Sequence, residues 1–158
     1  MAQFSTRQLE MLASARVGRL ATAGEDARPH VIPVCFTTDG RSIYSVLDQK
    51  PKRTGLTRLR RVKNILANPQ ATLLVDHYEE DWGNLWYLMV SGRAELLMDG
   101  QEQTNAVSLL REKYDQYRAM DIGLNPVIKI PPENIVSWTA QPAGSRAPPA
   151  PTATRTLS

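Results

Sequence analysis

A chain of 158 residues, 42% of them hydrophobic, has room for one domain with a real core and the composition of an ordinary globular protein. Its single cysteine, Cys35, excludes an internal disulfide and fits a reducing cytoplasm; residues 1–16 lack the apolar core of a secretion signal, and no stretch approaches the roughly 20 apolar residues of a membrane span. The net charge of +3 is local, because residues 50–63 carry seven basic side chains and no acidic one, while the remaining twelve basic residues face all sixteen acidic ones and leave the rest of the chain at −4.

In chain order, Ser5 and Gln8 have the spacing of a capping box, and Leu9, Leu12 and Ala13 follow at helical intervals, which predicts a short first helix. Residues 17–23 and 30–36 are β-rich runs flanking a turn at 24–28, and Asp39-Gly40 is a hairpin signal leading into a third strand at 41–47. From 54 to 67, Leu56, Leu59, Val62 and Leu66 recur at steps of three or four until Asn68-Pro69 stops the pattern, so this segment reads as an amphipathic helix. Residues 71–75 and 85–97 read as two more strands, joined by an acidic loop, with Gly92 as a bulge or barrel corner in the second. A polar helix at 100–120 and a last strand at 134–139, after the Pro131-Pro132 stop, complete the domain. Six strands with few helices predict a mainly β protein with flanking helices, a six-stranded antiparallel split barrel over residues 1–140. Residues 141–158 hold four prolines and no acid or aromatic, and are expected to be a disordered tail.

A chain that is basic throughout points to nucleic acid; one basic turn between a strand and a helix points to the phosphate or carboxylate groups of a single ligand. Lys50, Lys52 and Arg53 are placed to pair with a phosphate, and Thr54 at the expected helix start adds a hydroxyl and unpaired amides. Arg61 extends that reach along the helix, whereas Arg58, Arg60 and Lys63 also read as solvated. No aromatic residue interleaves with the basic ones, which counts against an RNA-binding barrel. With His30, His77 and Cys35 as the only histidines and cysteine, neither a zinc set nor a Cys-His nucleophile can be assembled, and no metal site or catalytic side chain is assigned. His77 beside Glu79, Glu80 and Asp81 reads as a strand end entering a solvated loop.

The ordered runs Ala15-Arg-Val-Gly-Arg-Leu-Ala-Thr, Arg28-Pro-His-Val-Ile-Pro-Val-Cys-Phe36, Ile43-Tyr-Ser and Asn64-Ile-Leu-Ala-Asn-Pro-Gln-Ala-Thr-Leu-Leu-Val-Asp76 resemble the split-barrel flavin and deazaflavin proteins related to pyridoxamine 5'-phosphate oxidase. Asp48-Gln-Lys-Pro-Lys-Arg together with Val75-Asp-His-Tyr-Glu-Glu-Asp-Trp82 is most similar to the branch of that superfamily that uses coenzyme F420. The resemblance spans residues 5–140. It implies a homodimer with two cofactor sites at its interface. It also implies that the backbone of Pro33, Val34 and Cys35 borders the ring, that Ser45 lies toward the phosphate, and that Asn64 occupies a matching helix position. A second reading stays open for these residues: Val34 and Cys35 alternate as core residues do, and Asn64 precedes a helix stop. Trp82, Trp86 and Tyr87 offer a wall for a substrate, with Tyr44 beside the basic turn, although packing or subunit contact explains them equally, and Trp138 reads as core. The strand at 85–97 has large apolar residues on both faces, Trp86, Leu88 and Val90 on one and Leu85, Tyr87 and Met89 on the other, so one face is left for a partner.

The resulting expectation is an F420-dependent oxidoreductase acting on a small electrophilic or unsaturated substrate, with the cofactor performing the hydride chemistry. The choice of F420 follows the resemblance and the anionic length of that cofactor. An FMN-dependent oxidase or reductase is the alternative, although the Arg-bearing C-terminal segment of pyridoxamine phosphate oxidases is not reproduced here. A non-enzymatic cofactor- or haem-binding module, with His77 as the ligand for haem, is the other class.

Overall fold

The structure is a computed structural model that describes residues 1–48 and 55–141. The basic turn residues Lys50, Lys52, Arg53 and Thr54, and the tail from 142 onward, lie outside the described residues.

Local sequence rules account for most of the elements. The Ser5 hydroxyl accepts from the Gln8 amide at 3.2 Å and the Gln8 side chain accepts from the Ser5 amide at 2.9 Å, so helix α1 (Thr6–Ser14) starts on the expected reciprocal cap. Strands β1 (Gly18–Ala23) and β2 (Pro29–Val34) pair antiparallel around the turn at 24–28. The Asp39-Gly40 signal makes the turn between a two-residue strand, β3 (Thr37–Thr38), and β4 (Ile43–Val46). Gly40 sits at φ 92°, a region that glycine enters without a Cβ clash, while the Asp39 carboxylate accepts from the amides of Arg41 and Ser42.

The helix expected from 54 to 67 is shorter. Gly55 has φ 72°, a 3₁₀ turn spans Leu56–Arg58, and Leu59 is extended, so α2 runs only over Arg60–Ala67. Beyond it come β5 (Gln70–His77), β6 (Trp86–Arg93), β7 (Glu95–Leu97), helix α3 (Gln101–Lys113), and strands β8 (Val127–Ile130) and β9 (Pro132–Thr139). The single strand expected at 85–97 is thus two, and β3 and β8 raise the count from six to nine. The helix expected to reach 120 ends at Lys113, and a 3₁₀ turn over Asp115–Arg118 follows.

The strands form a five-stranded sheet in the order β2-β1-β5-β6-β9 and a four-stranded sheet in the order β3-β4-β8-β7. This is the split barrel. Leu20, Leu73, Leu88, Val90, Phe36 and Ile128 fill the space between the sheets, each essentially buried. A second cluster lies on the other face of the small sheet, where Tyr44 and Val46 pack against Ala106, Val107 and Leu110 of α3 and against Tyr114 and Tyr117. Strand β4 is therefore buried on both faces. The register of β6 against β9 shifts at Gly92, where an added Cβ would lie 2.1 Å from the Pro131 carbonyl oxygen. The expected corner is there, and only a residue without a side chain fits it.

The outward face of the large sheet is covered by nothing among the described residues. Pro33, Arg19, Leu74, Met89 and Val136 stand in one cross-strand row, and Tyr87 and Trp138 in the next. Trp138 is 47% exposed and stacks on Tyr87 with ring centroids 6.0 Å apart, so it is not a core residue.

Candidate functional site

Where β2 leaves the large sheet and β4 crosses toward α2, the described residues enclose a cavity of about 390 Å³. Pro33, Val34 and Cys35 form one wall, Ser45 and Val46 the other, with Val17 and Ile32 behind and Asp48 and Arg61 at the charged end. The Ser45 hydroxyl donates to the Cys35 carbonyl at 2.8 Å and fixes the two walls to each other. Five residues expected at a cofactor site, Pro33, Val34, Cys35, Ser45 and Arg61, are brought together here.

Arg61 gives the cavity its character. It is only 8% exposed, on a helix whose neighbouring basic residues Arg60 and Lys63 face solvent. Burial pulls its pKa down from the usual arginine value, and the Asp48 carboxylate and the Tyr117 hydroxyl act in the opposite sense. Among the described residues no carboxylate lies within ion-pair distance of it and no acceptor takes a hydrogen bond from it. A buried guanidinium without a bonded counterion is costly on its own and is offset when an anion enters.

The wall behind the cavity is tied by the end of α3. The buried Tyr114 hydroxyl accepts from the Phe36 amide at 3.1 Å and donates to the carbonyl of Phe36 or of Arg16. Burial raises its pKa to about 12, so it remains a donor. Tyr117 donates to Asp48 Oδ2 at 2.6 Å. The Lys113 ammonium donates to the Leu12 carbonyl at 2.9 Å and sits 3.8 Å from the centroid of the Phe36 ring; burial, reinforced by Arg16, lowers its pKa to about 8.

The other expected site residues fall elsewhere. Asn64 is buried and donates to Thr22 Oγ1 at 3.1 Å, which locks α2 onto β1, and it does not line the cavity. Tyr44 points to the α3 side of β4 and donates to Asp39 Oδ2 at 3.2 Å, because neighbouring strand residues take opposite faces. Trp82, 66% exposed, sits in a 3₁₀ turn over Trp82–Asn84; Trp86 is half-buried against the main core and stacks on His77 at 6.2 Å. Neither tryptophan lines the cavity of its own chain. Trp86, with Leu88 and Val90, faces inward, and Tyr87 with Met89 holds the outward face. Asp48 and Tyr117 were not singled out by the sequence, although Asp48 stands immediately before the basic run.

A family model described as pyridoxamine 5'-phosphate oxidase matches residues 4–139, which include every strand and the cavity between β2, β4 and α2. The chain belongs to this family. No curated protein matches it. Solved structures of similar fold include a conserved hypothetical protein of Mycobacterium tuberculosis, with 19% identity, a TM-score of 0.70, and 88% of this chain and 86% of that one covered. An F420 reductase shares 23% identity with a TM-score of 0.59 over 80% of this chain and 94% of its own. A haem storage protein of Vibrio cholerae shares 14% identity with a TM-score of 0.63, over 87% and 95% of the two chains. At these identities the likeness concerns the fold, which the family uses to hold flavin-type cofactors. Among the described residues no helix is long and apolar enough to cross a membrane, and no group of three potential metal ligands gathers.

Proposed function

We propose that this chain is an oxidoreductase that binds coenzyme F420 in the cavity between β2, β4 and α2 and reduces a small electrophilic or unsaturated molecule. The observation that carries this reading is Arg61, a buried cation with no bonded counterion among the described residues, at the end of a cavity walled by residues 32–35 and 45–46. The bound cofactor supplies the hydride. The chain supplies an anion site at Arg61, hydroxyl and backbone groups at Ser45 and along 33–35, and apolar side chains at Val17, Ile32 and Val46 that exclude water. The basic side chains at 50, 52 and 53 join Arg61 in recognising the phosphodiester and polyglutamate tail.

The exposed sheet face completes the picture as a homodimer, the commonest way of covering such a surface. In that assembly the turn bearing Trp82 is the segment available to reach a neighbouring cavity. The FMN-dependent reading is favoured by the family's description and retains the same cavity with a shorter anion. Haem binding through histidine has less support in this cavity, since among the described residues neither His30 nor His77 lines it and His77 Nε2 is engaged with Glu79.

Fluorescence titration separates these readings. F420 is expected to bind more tightly than FMN and to weaken as salt is raised; equal or tighter FMN binding removes the argument from tail charge, and binding of neither removes the cofactor site. Lys50→Ala with Lys52→Ala is expected to weaken F420 at least about tenfold without unfolding, since a charge-assisted contact contributes about 1.5–3 kcal/mol.

A further inference from the structure

The charged end of the cavity has two members of opposite sign: Arg61 is the one cation and Asp48 the one anion among its described lining residues. Asp48 is held in place, for the buried Tyr117 hydroxyl donates to Oδ2 at 2.6 Å. Burial, and then the same carboxylate, push the Tyr117 pKa upward, so the phenol keeps its proton and the tether stays made. An anion drawn to Arg61 is therefore also repelled by a fixed carboxylate.

We propose that Asp48 weights the cavity by ligand charge, offsetting the pull of Arg61 more for a doubly charged phosphate monoester than for a singly charged phosphodiester, with Tyr117 as the residue that positions it. The repulsion from one fixed charge scales with the charge brought up to it. A monoester carries about −1.5 to −2 at neutral pH, and a diester carries a single negative charge, so the monoester meets up to twice the penalty. This rests on the cofactor reading above, and it identifies the chemical feature by which the site tells an F420-type ligand from FMN.

The test uses three ligands with one ring system: riboflavin, which is uncharged there, FMN, and the methyl phosphodiester of FMN. Their affinities for the full chain are measured by fluorescence at pH 8, alongside melting curves. Asp48→Asn is expected to leave riboflavin unchanged, to tighten the methyl diester about threefold and to tighten FMN about tenfold, the size of the lost charge interactions at an effective dielectric of about 20 or above. Tyr117→Phe, which frees the carboxylate without removing it, is expected to shift the ratio of FMN to diester in the same direction by less, again with riboflavin unchanged. The neighbouring basic residues are common to all variants. Equal changes for all three ligands, or an unchanged ratio of FMN to diester in Asp48→Asn, overturns the proposal while leaving the cofactor site standing. A wild-type chain that binds none of the three and not F420 overturns the cofactor reading, and this proposal with it.

Discussion

At the scale of single residues, two cations drawn in from solvent, Arg61 and Lys113, have different consequences. Among the described residues Arg61 has no bonded counterion, so Arg61→Met is expected to weaken cofactor binding at least about tenfold while leaving the melting temperature unchanged or higher, because replacing a buried charge with an apolar chain relieves its dehydration. A lower melting temperature with intact binding would assign Arg61 to structure alone. Lys113 is already provided with the Leu12 carbonyl and the Phe36 ring, yet its pKa falls to about 8 from an ordinary 10.5. Above pH 8 the unfolded chain still holds a proton that the native state has released, so the stability of the native state rises with pH until the unfolded lysine also deprotonates. Between pH 8 and pH 9.5, below the range in which tyrosines ionise, the wild type is expected to gain stability relative to Lys113→Met, as followed by chemical denaturation. A difference that stays flat across this range would place the ammonium in a more hydrated setting.

At the scale of elements, the cavity depends on two fastenings that join parts distant in sequence. Tyr114→Phe removes a hydroxyl that meets both the amide and the carbonyl of Phe36, and it is expected to cost about 1–3 kcal/mol in denaturant unfolding, since the buried Phe36 amide loses its partner. Gly92→Ala is expected to destabilise by about 1–3 kcal/mol or more, because the Pro131 carbonyl occupies the space the new methyl needs. Both features bear on what the sequence discloses. Gly92 was legible, since a glycine inside a long apolar run asks for a corner; so were the capping box at Ser5 and the hairpin at Asp39-Gly40, which are local signals. Strand β8 was not, because Val127–Ile130 is four residues between prolines and owes its form to pairing with β4 and β7. At the site, Pro33, Val34, Cys35, Ser45 and Arg61 were found through the family resemblance and the local charge. Asn64 locks a helix to a strand and lies outside the cavity lining, and a buried amide in that place has the same sequence signature as one that meets a ligand. Tyr117 was out of reach, as its bond to Asp48 spans 69 positions and only the folded chain brings them together.

At the scale of the whole molecule, the outward face of the large sheet is the surface on which the proposed homodimer rests. Tyr87 and Trp138 are stacked and 38% and 47% exposed, and Leu74 and Val136 lie beside them in the adjoining row. Light scattering at micromolar concentration is expected to give about twice the chain mass, and Tyr87→Glu to give about one; a wild-type monomer that binds cofactor fully would defeat the interface model. Trp86→Glu is the contrasting case, since Trp86 packs against the main core, and it is expected to lower stability before it alters mass.

The distribution of indole rings has a practical consequence for spectroscopy. Among the described residues that line the cavity there is no tryptophan, whereas Trp138 belongs to the exposed sheet face and Trp82 to the turn beside it in sequence to β6. The wavelength of intrinsic emission, which follows the immediate surroundings of the indole, thus offers a readout of the proposed association: for a dimer, dilution is expected to move it to the red, and saturation with a ligand that stays within one chain to leave it in place.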